Sequence, residues 1–173
     1  MKIFRLETPR LLIREWNIQD AAMYFPLSQD PALNGHPHGK ISHTSLEDAE
    51  KKIIEWALLF GQTKMGILPI FLNEEKIQVG VCGIKPLMLG PGNLHFEVIC
   101  RIGSQYSGHG FASEAIPAIL NYGFKTLGLK ELVGISQANF PAGPRVLQKV
   151  GMSFLKSVTL QNKKVDLFSV NPQ

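Results

Sequence analysis

The chain has 173 residues, 45% of them hydrophobic and 18% charged, which reads as one soluble globular domain over 1–173 with a sizeable core. Its net charge of +4 suits an anionic ligand, but the only adjacent basic pairs are Lys51–Lys52 and Lys163–Lys164, so no nucleic-acid-binding stripe is visible. No apolar run approaches the ~20 residues of a membrane span, and "MKIFRLETPRLLIRE" carries charges every few residues, unlike a signal peptide; a cytoplasmic protein with no membrane partner is expected.

In chain order, "RLLIREW" (10–16) alternates and predicts a strand. "NIQDAAMYFPLSQDP" (17–31) opens on Asn17, a candidate N-cap, and predicts a helix that Pro26 and Pro31 break. Glycines and prolines make 34–42 a loop. A long helix begins at Ser45, whose spacing to Asp48 loosely matches a capping box. Leu46, Ala49, Ile53, Trp56 and Phe60 recur at helical spacing and form its core face.

The period then changes. "GILPIFL", the turn "NEEK" and "IQVGVCGIKPLML" predict a hairpin, "GPGN" (90–93) a second turn, and "LHFEVICRI" (94–102) the next strand. Cys82 and Cys100 lie in these apolar runs and are expected as buried, reduced thiols. A glycine-bearing turn leads into a helix reaching about Leu127, with Gly128 as C-cap and Pro117 inside it as an expected kink. "LVGIS" (132–136) is a strand and "AGPRVLQKVG" a short helix; "MSFLKSVTL", the turn "QNKK" and "VDLFSV" close the chain as a hairpin. Mixed strands with few helices predict an α+β or mixed-sheet α/β domain.

The turn "QYSGHGFASEA" (105–115) raises the functional question. A Walker loop needs Lys and Ser/Thr after its second glycine, and here Phe111 follows Gly110. A dinucleotide fingerprint needs a third glycine where Ser113 stands, and only about 60 residues follow, too few for a doubly wound nucleotide domain. What survives is a strand, two glycines that leave the backbone bare, and a helix N-terminus, which together suit a pyrophosphate without any lysine. A tight turn serving only helix packing stays open on spacing alone.

Gln105-Tyr106-Ser107-Gly108-His109-Gly110 matches the Q/R-x-x-G-x-G/A signature of the GCN5-related N-acetyltransferases (GNAT). "SGHGFASEA" resembles the "WGKGYATEA" of the branch containing the RimJ/RimL-like ribosomal-protein N-terminal acetyltransferases. "LETPRLLIRE" resembles that branch's start, and "NFPAGPRVLQKVGM" resembles its "N-x-x-S-x-x-V-L-E-K-L-G-F". The resemblance runs from Leu6 to Phe168. It implies a central, mostly antiparallel mixed sheet splayed between two strands and flanked by helices.

It also implies acetyl-CoA as cosubstrate; no metal is expected. The pyrophosphate would rest on the turn Gln105, Gly108, His109, Gly110, with the amides of Phe111 and Ala112 and the Ser113 hydroxyl. The pantetheine arm would add to the strand edge near Cys100 and Ile102, and Asn139 matches the family's cofactor-side asparagine. Two departures stand out. One extra residue separates Asn139 from Val146, with Gly143 in place of the usual serine. Leu147 occupies the position where many relatives place a tyrosine acting as acid, so no general acid carries over.

Acetyl transfer to an amine needs a neutral nucleophile, a polarised thioester carbonyl and a route for the lost proton. Alternation puts His95, Glu97, Ile99 and Arg101 on one strand face. Glu97 aligns with the branch's glutamate and is the candidate base, through water; the alternative is a structural pair with Arg101 or His95. A weak base suits a terminal α-amine, roughly a tenth neutral at pH 7, better than a lysine, less than about a thousandth neutral. His36, His38 and His43 share the loop that borders the acceptor groove in the family, without ligand spacing for a metal. His109 is expected to face solvent, and Tyr106 and Phe111 to pack. The expected function is acetyl-CoA-dependent transfer to a primary amine, with a peptide N-terminus among the candidate acceptors. A small-molecule amine acetyltransferase and a silent acyl-CoA-binding module are the alternatives, as monomer or homodimer.

Overall fold

The computed structural model describes residues 4–35, 39–137 and 142–173. Its strands β1 (Arg5–Glu7), β2 (Leu11–Arg14), β3 (Gly66–Leu72), β4 (Gln78–Met88), β5 (Leu94–Ile102), β6 (Leu132–Gln137), β7 (Ser153–Leu160) and β8 (Lys163–Val170) make one eight-stranded sheet in the order β1-β2-β3-β4-β5-β6-β8-β7. Every neighbouring pair is antiparallel except β5 and β6, which run parallel. The expected mostly antiparallel mixed sheet is therefore present.

Helices α1 (Ala21–Ser28), α2 (Pro31–Asn34), α3 (Leu46–Thr63), α4 (Phe111–Lys125) and α5 (Ala142–Lys149) flank the sheet. On one side Phe111, Ala115, Ile116 and Ile119 of α4 join Cys82, Ile84, Val98 and Leu132 in one core. On the other, Tyr24, Leu33, Ala49 and Ile53 of α1–α3 pack with Trp16, Ile67 and Val81.

Several local expectations hold for physical reasons. Ser45 accepts from the Asp48 amide at 3.1 Å and starts α3. Asn17 caps a short 3₁₀ turn by accepting from the Gln19 amide, with Asp20 returning to the Asn17 amide.

Others are corrected. The stretch 17–31 is not one helix: a 3₁₀ turn precedes α1, which contains Pro26, and Pro31 opens α2 at its first position, where no amide donor is needed. Leu46, the first residue of α3, is 43% exposed, while Ala49, Ile53 and Phe60 are buried as expected. The last hairpin turns on two residues, Gln161 and Asn162, both at positive φ, so Lys163 and Lys164 belong to β8. Helical structure continues past Pro117, which lies on the exposed side of α4.

Candidate functional site

The sheet is continuous except at one place. β4 and β5 pair in register from Gly80↔Ile102 to Met88↔Leu94, whereas β5 and β6 meet at the single rung Glu97↔Val133. Beyond that rung the described residues of the two parallel strands form no ladder, and a V opens at their carboxyl ends. In open α/β sheets that end is where ligands sit.

The glycine turn follows the carboxyl end of β5, the side on which the V opens. Gly108 and Gly110 adopt φ of +79° and +81°, a left-handed conformation that side chains disfavour. A Cβ on Gly108 would meet no atom within 4 Å, so backbone conformation rather than crowding calls for glycine there. The first bond of α4 runs from the Glu114 amide to the Gly110 carbonyl. The amides of Gly108, Gly110, Phe111, Ala112 and Ser113 therefore lack acceptors among the described residues. Orphan amides at a helix N-terminus make a preorganised anion site. Gln105 and His109 are exposed. The His109 ring stacks on Phe111 at 5.7 Å, and Phe111 and the half-buried Tyr106 pack into the core.

Residues far away in sequence hold this turn. Glu114 accepts from Thr8 Oγ1 at 2.6 Å, from the Arg10 amide at 2.8 Å and from Arg10 Nε at 2.7 Å. Arg10 Nη1 donates to the His109 carbonyl at 2.9 Å. Burial opposes the Glu114 charge, but the donors from Thr8 and Arg10 outweigh it and hold the carboxyl below its ordinary range. Asp30, the cap of α2, accepts from the Ser104 amide at 2.7 Å and the Ser104 hydroxyl at 2.6 Å. Sequence reasoning missed this clamp. Its only local signal was an acidic residue in the first turn of a helix beside a bare turn.

β5 divides the expected site residues between its two faces. Cys100 and Ile102 lie half-buried on the face packed against the α4 core, and burial pushes the Cys100 thiol up to about 12. Glu97, 1% exposed, lies on the opposite face with His95 and Arg101. His95 Nδ1 is 3.1 Å from Glu131 Oε2, and Arg101 Nη1 donates to the Leu33 carbonyl at 2.7 Å. Thus Arg101 anchors the end of α2, and His95 pairs with β6's approach.

Lys85 stands opposite Glu97 in the β4–β5 register. Burial lowers its pKa; the Glu97 charge counters that, and Arg101 and Lys52 reinforce it. Burial likewise lowers Arg101, opposed by Glu97 and Tyr24. Nearby, Tyr24 donates its hydroxyl to the Ile41 carbonyl at 3.0 Å and lies 3.2 Å from His43 Nε2. Burial and Lys52 lower His43, against Asp48.

Leu147 is buried against Gly134, where an added Cβ would lie 2.7 Å from Leu147 Cδ2. It fills core and offers no proton. Asn139, His36 and His38 lie outside the described residues.

This combination defines a class: a mixed sheet, splayed at its one parallel junction, with a helix start whose amides lack acceptors among the described residues and a carboxylate at the vertex. The acetyltransferase (GNAT) domain profile matches residues 10–153, and the chain belongs to that family of acetyltransferases. The uncharacterized N-acetyltransferase YoaA of Bacillus subtilis (strain 168) is 31% identical over 147 residues, covering 84% of this chain and 81% of that one. The ribosomal-protein-S5-alanine acetyltransferase of Vibrio fischeri superposes with a TM-score of 0.79 at 17% identity, over 97% of this chain and 96% of that one. RimL, a ribosomal L7/L12 α-N-protein acetyltransferase solved with coenzyme A, superposes at 0.77 with 14% identity, over 97% and 98% of the two chains. Among the described residues no helix is long and apolar enough to cross a membrane.

Proposed function

We propose that the chain, acting as one domain, uses acetyl-CoA to acetylate a primary amine, and that the amine is a peptide N-terminus. The observation that carries this reading is the alignment of parts along β5. The rung at Glu97↔Val133, the splay beyond it and the free amides of Gly108–Ser113 follow one another along the chain.

The amides of Gly108, Gly110, Phe111, Ala112 and Ser113 would hold the pyrophosphate, and the main chain near Cys100 and Ile102 the pantetheine amides. Acetyl-CoA supplies an activated acyl group with a thiolate leaving group. The amine nitrogen forms the new C–N bond as the C–S bond breaks. Glu97, at the vertex, takes the amine proton through water. With Leu147 packed into the core, the thiolate leaves without an acid from that position. Asn139 belongs to the cofactor side of this reading, by resemblance.

The choice of an α-amine rests on the base. An α-amine, with a pKa of about 7.7–8.0, needs far less help than lysine at about 10.4. The names of the two ribosomal-protein acetyltransferases that share the fold point the same way. Thiol release from acetyl-CoA is to be followed with peptides bearing free N-termini and with N-blocked, lysine-bearing twins. The free set should be faster by at least about tenfold, given that difference in neutral amine. Equal rates on both sets would reject the N-terminal reading and leave amine acetylation standing.

A further inference from the structure

Among the described residues, Lys85 is a half-buried lysine with no bonded partner. Lys51 pairs with Glu47 and Lys52 with Glu55, but the Lys85 ammonium joins no hydrogen bond or ion pair among the described residues. It stands opposite Glu97 on the sheet face turned away from α4, at the vertex of the V. On the same face Arg101 is 5% exposed, and its Nε has no hydrogen-bond partner among the described residues.

The groups around this spot do not balance. β4 brings Lys85; β5 brings Glu97, Arg101 and a His95 that is paired with Glu131. α1 brings Tyr24, which burial keeps protonated, and the loop before α3 brings His43, which burial keeps from charging. Lys52 of α3 is matched by Glu55. Among the described residues, Lys85 and Arg101 are two cations facing the Glu97 carboxylate. A surplus charge that is partly removed from water is costly unless a counter-ion joins it.

The cosubstrate's phosphates are poorly placed for that role. The strand from Glu97 to Ile102 measures roughly 17 Å at about 3.3 Å per residue, and the glycine turn lies beyond it. The acceptor, in contrast, must reach Glu97. Opposed residues hold their Cβ atoms about 4.5–5.5 Å apart, so a group on Lys85 lies within a few bonds of the reacting amine.

We propose that Lys85 binds a carboxylate which the acceptor carries close to its reacting amine, making acidic acceptors the preferred substrates. The inference rests on the acetyl-transfer reading above. Two sources of that carboxylate fit: an N-terminal Asp or Glu side chain, or the α-carboxylate of a free amino acid.

The test measures kcat/KM for thiol release with two matched pairs, Asp-Ala-Ala-amide against Asn-Ala-Ala-amide, and alanine against alaninamide. In the wild type the acidic member of one pair should win by roughly 10–100-fold, the range of one charge-assisted hydrogen bond. The pair that shows it identifies the carboxylate's source. In Lys85→Met that ratio should fall towards one, and Lys85→Arg should keep most of it. Ratios near one for both pairs in the wild type would overturn the proposal while leaving acetyl transfer intact, with no variant needed. An unchanged ratio in a folded Lys85→Met would overturn it too. Thiol release from none of these amines, nor from the free-N-terminus peptides, would bring down the acetyl-transfer reading and this one with it.

Discussion

The two faces of β5 are built to different ends. Phe96, Val98, Cys100 and Ile102 face α4 and belong to one apolar core with Phe111, Ala115 and Ile116. His95, Glu97 and Arg101, only a residue away from each of these, share the other face with Lys85, and Glu97 and Arg101 are just as deeply buried. The first face gains stability from every buried methylene, about 0.8 kcal/mol each. The second spends stability on desolvating charges, and such sites persist where chemistry needs them. One strand, by its period of two, thus carries the scaffold and the candidate catalytic group without either disturbing the other.

The largest break in that comparison is a charge on the wrong face. Val98→Asp would bury a carboxylate among Phe111, Ala115 and Ile116 with no donor in reach. We expect a loss of more than about 4 kcal/mol, enough to prevent folding of many domains of this size. Urea unfolding followed by circular dichroism checks it. A folded Val98→Asp protein of near wild-type stability would mean that the two faces are not distinct.

Glu97→Gln is the matching change on the other face, and its effect should appear in rate rather than in the fold. The expected drop is on the order of 10²–10⁴-fold. It should be largest at low pH, where few acceptor amines are neutral, and should shrink as pH rises past the amine's own pKa of about 7.7–8.0. A pH–rate profile of both proteins, with melting curves, separates the roles. Parallel profiles with a lowered melting point would make Glu97 scaffolding.

The mildest change is at the start of α4. Glu114→Gln removes the charge that gathers Thr8 and Arg10 onto the glycine turn. We expect a loss of about 1–2 kcal/mol, as for hydrogen bonds to a charged group. Because the folded pKa of Glu114 lies below its ordinary 4.5, the wild type holds this contribution in full above that value. It loses the contribution as pH falls through the lower folded value. The gap between wild type and Glu114→Gln should therefore be wide at pH 7 and close in strong acid. A gap that stays constant down to pH 2, by thermal unfolding, would show that the clamp owes nothing to charge.

Much of this protein is local and so was legible in its residues. The alternation of "LHFEVICRI" foretold both the limits of β5 and the face on which Glu97 lies, because strand periodicity needs no distant partner. Ser45 foretold the start of α3, and Gly108 and Gly110 foretold a turn that leaves amides bare. The family resemblance added the expectation of a splayed sheet, which sequence pattern alone does not carry.

Only the tertiary structure decided the rest. The clamp joins Arg10 to Glu114 across more than a hundred residues, and no periodicity encodes such a pair. Lys85 read as one more residue of a hairpin strand. Its meaning comes from register, which sets it opposite Glu97, and from packing, which leaves it half-buried with no hydrogen bond or ion pair among the described residues. Leu46 had the right spacing for core and still faces water, since burial depends on what a helix packs against and not on the helix's own period alone. Local pattern determines which groups a strand or helix presents and on which side. The meeting of strands far apart in the chain decides which of those groups face one another.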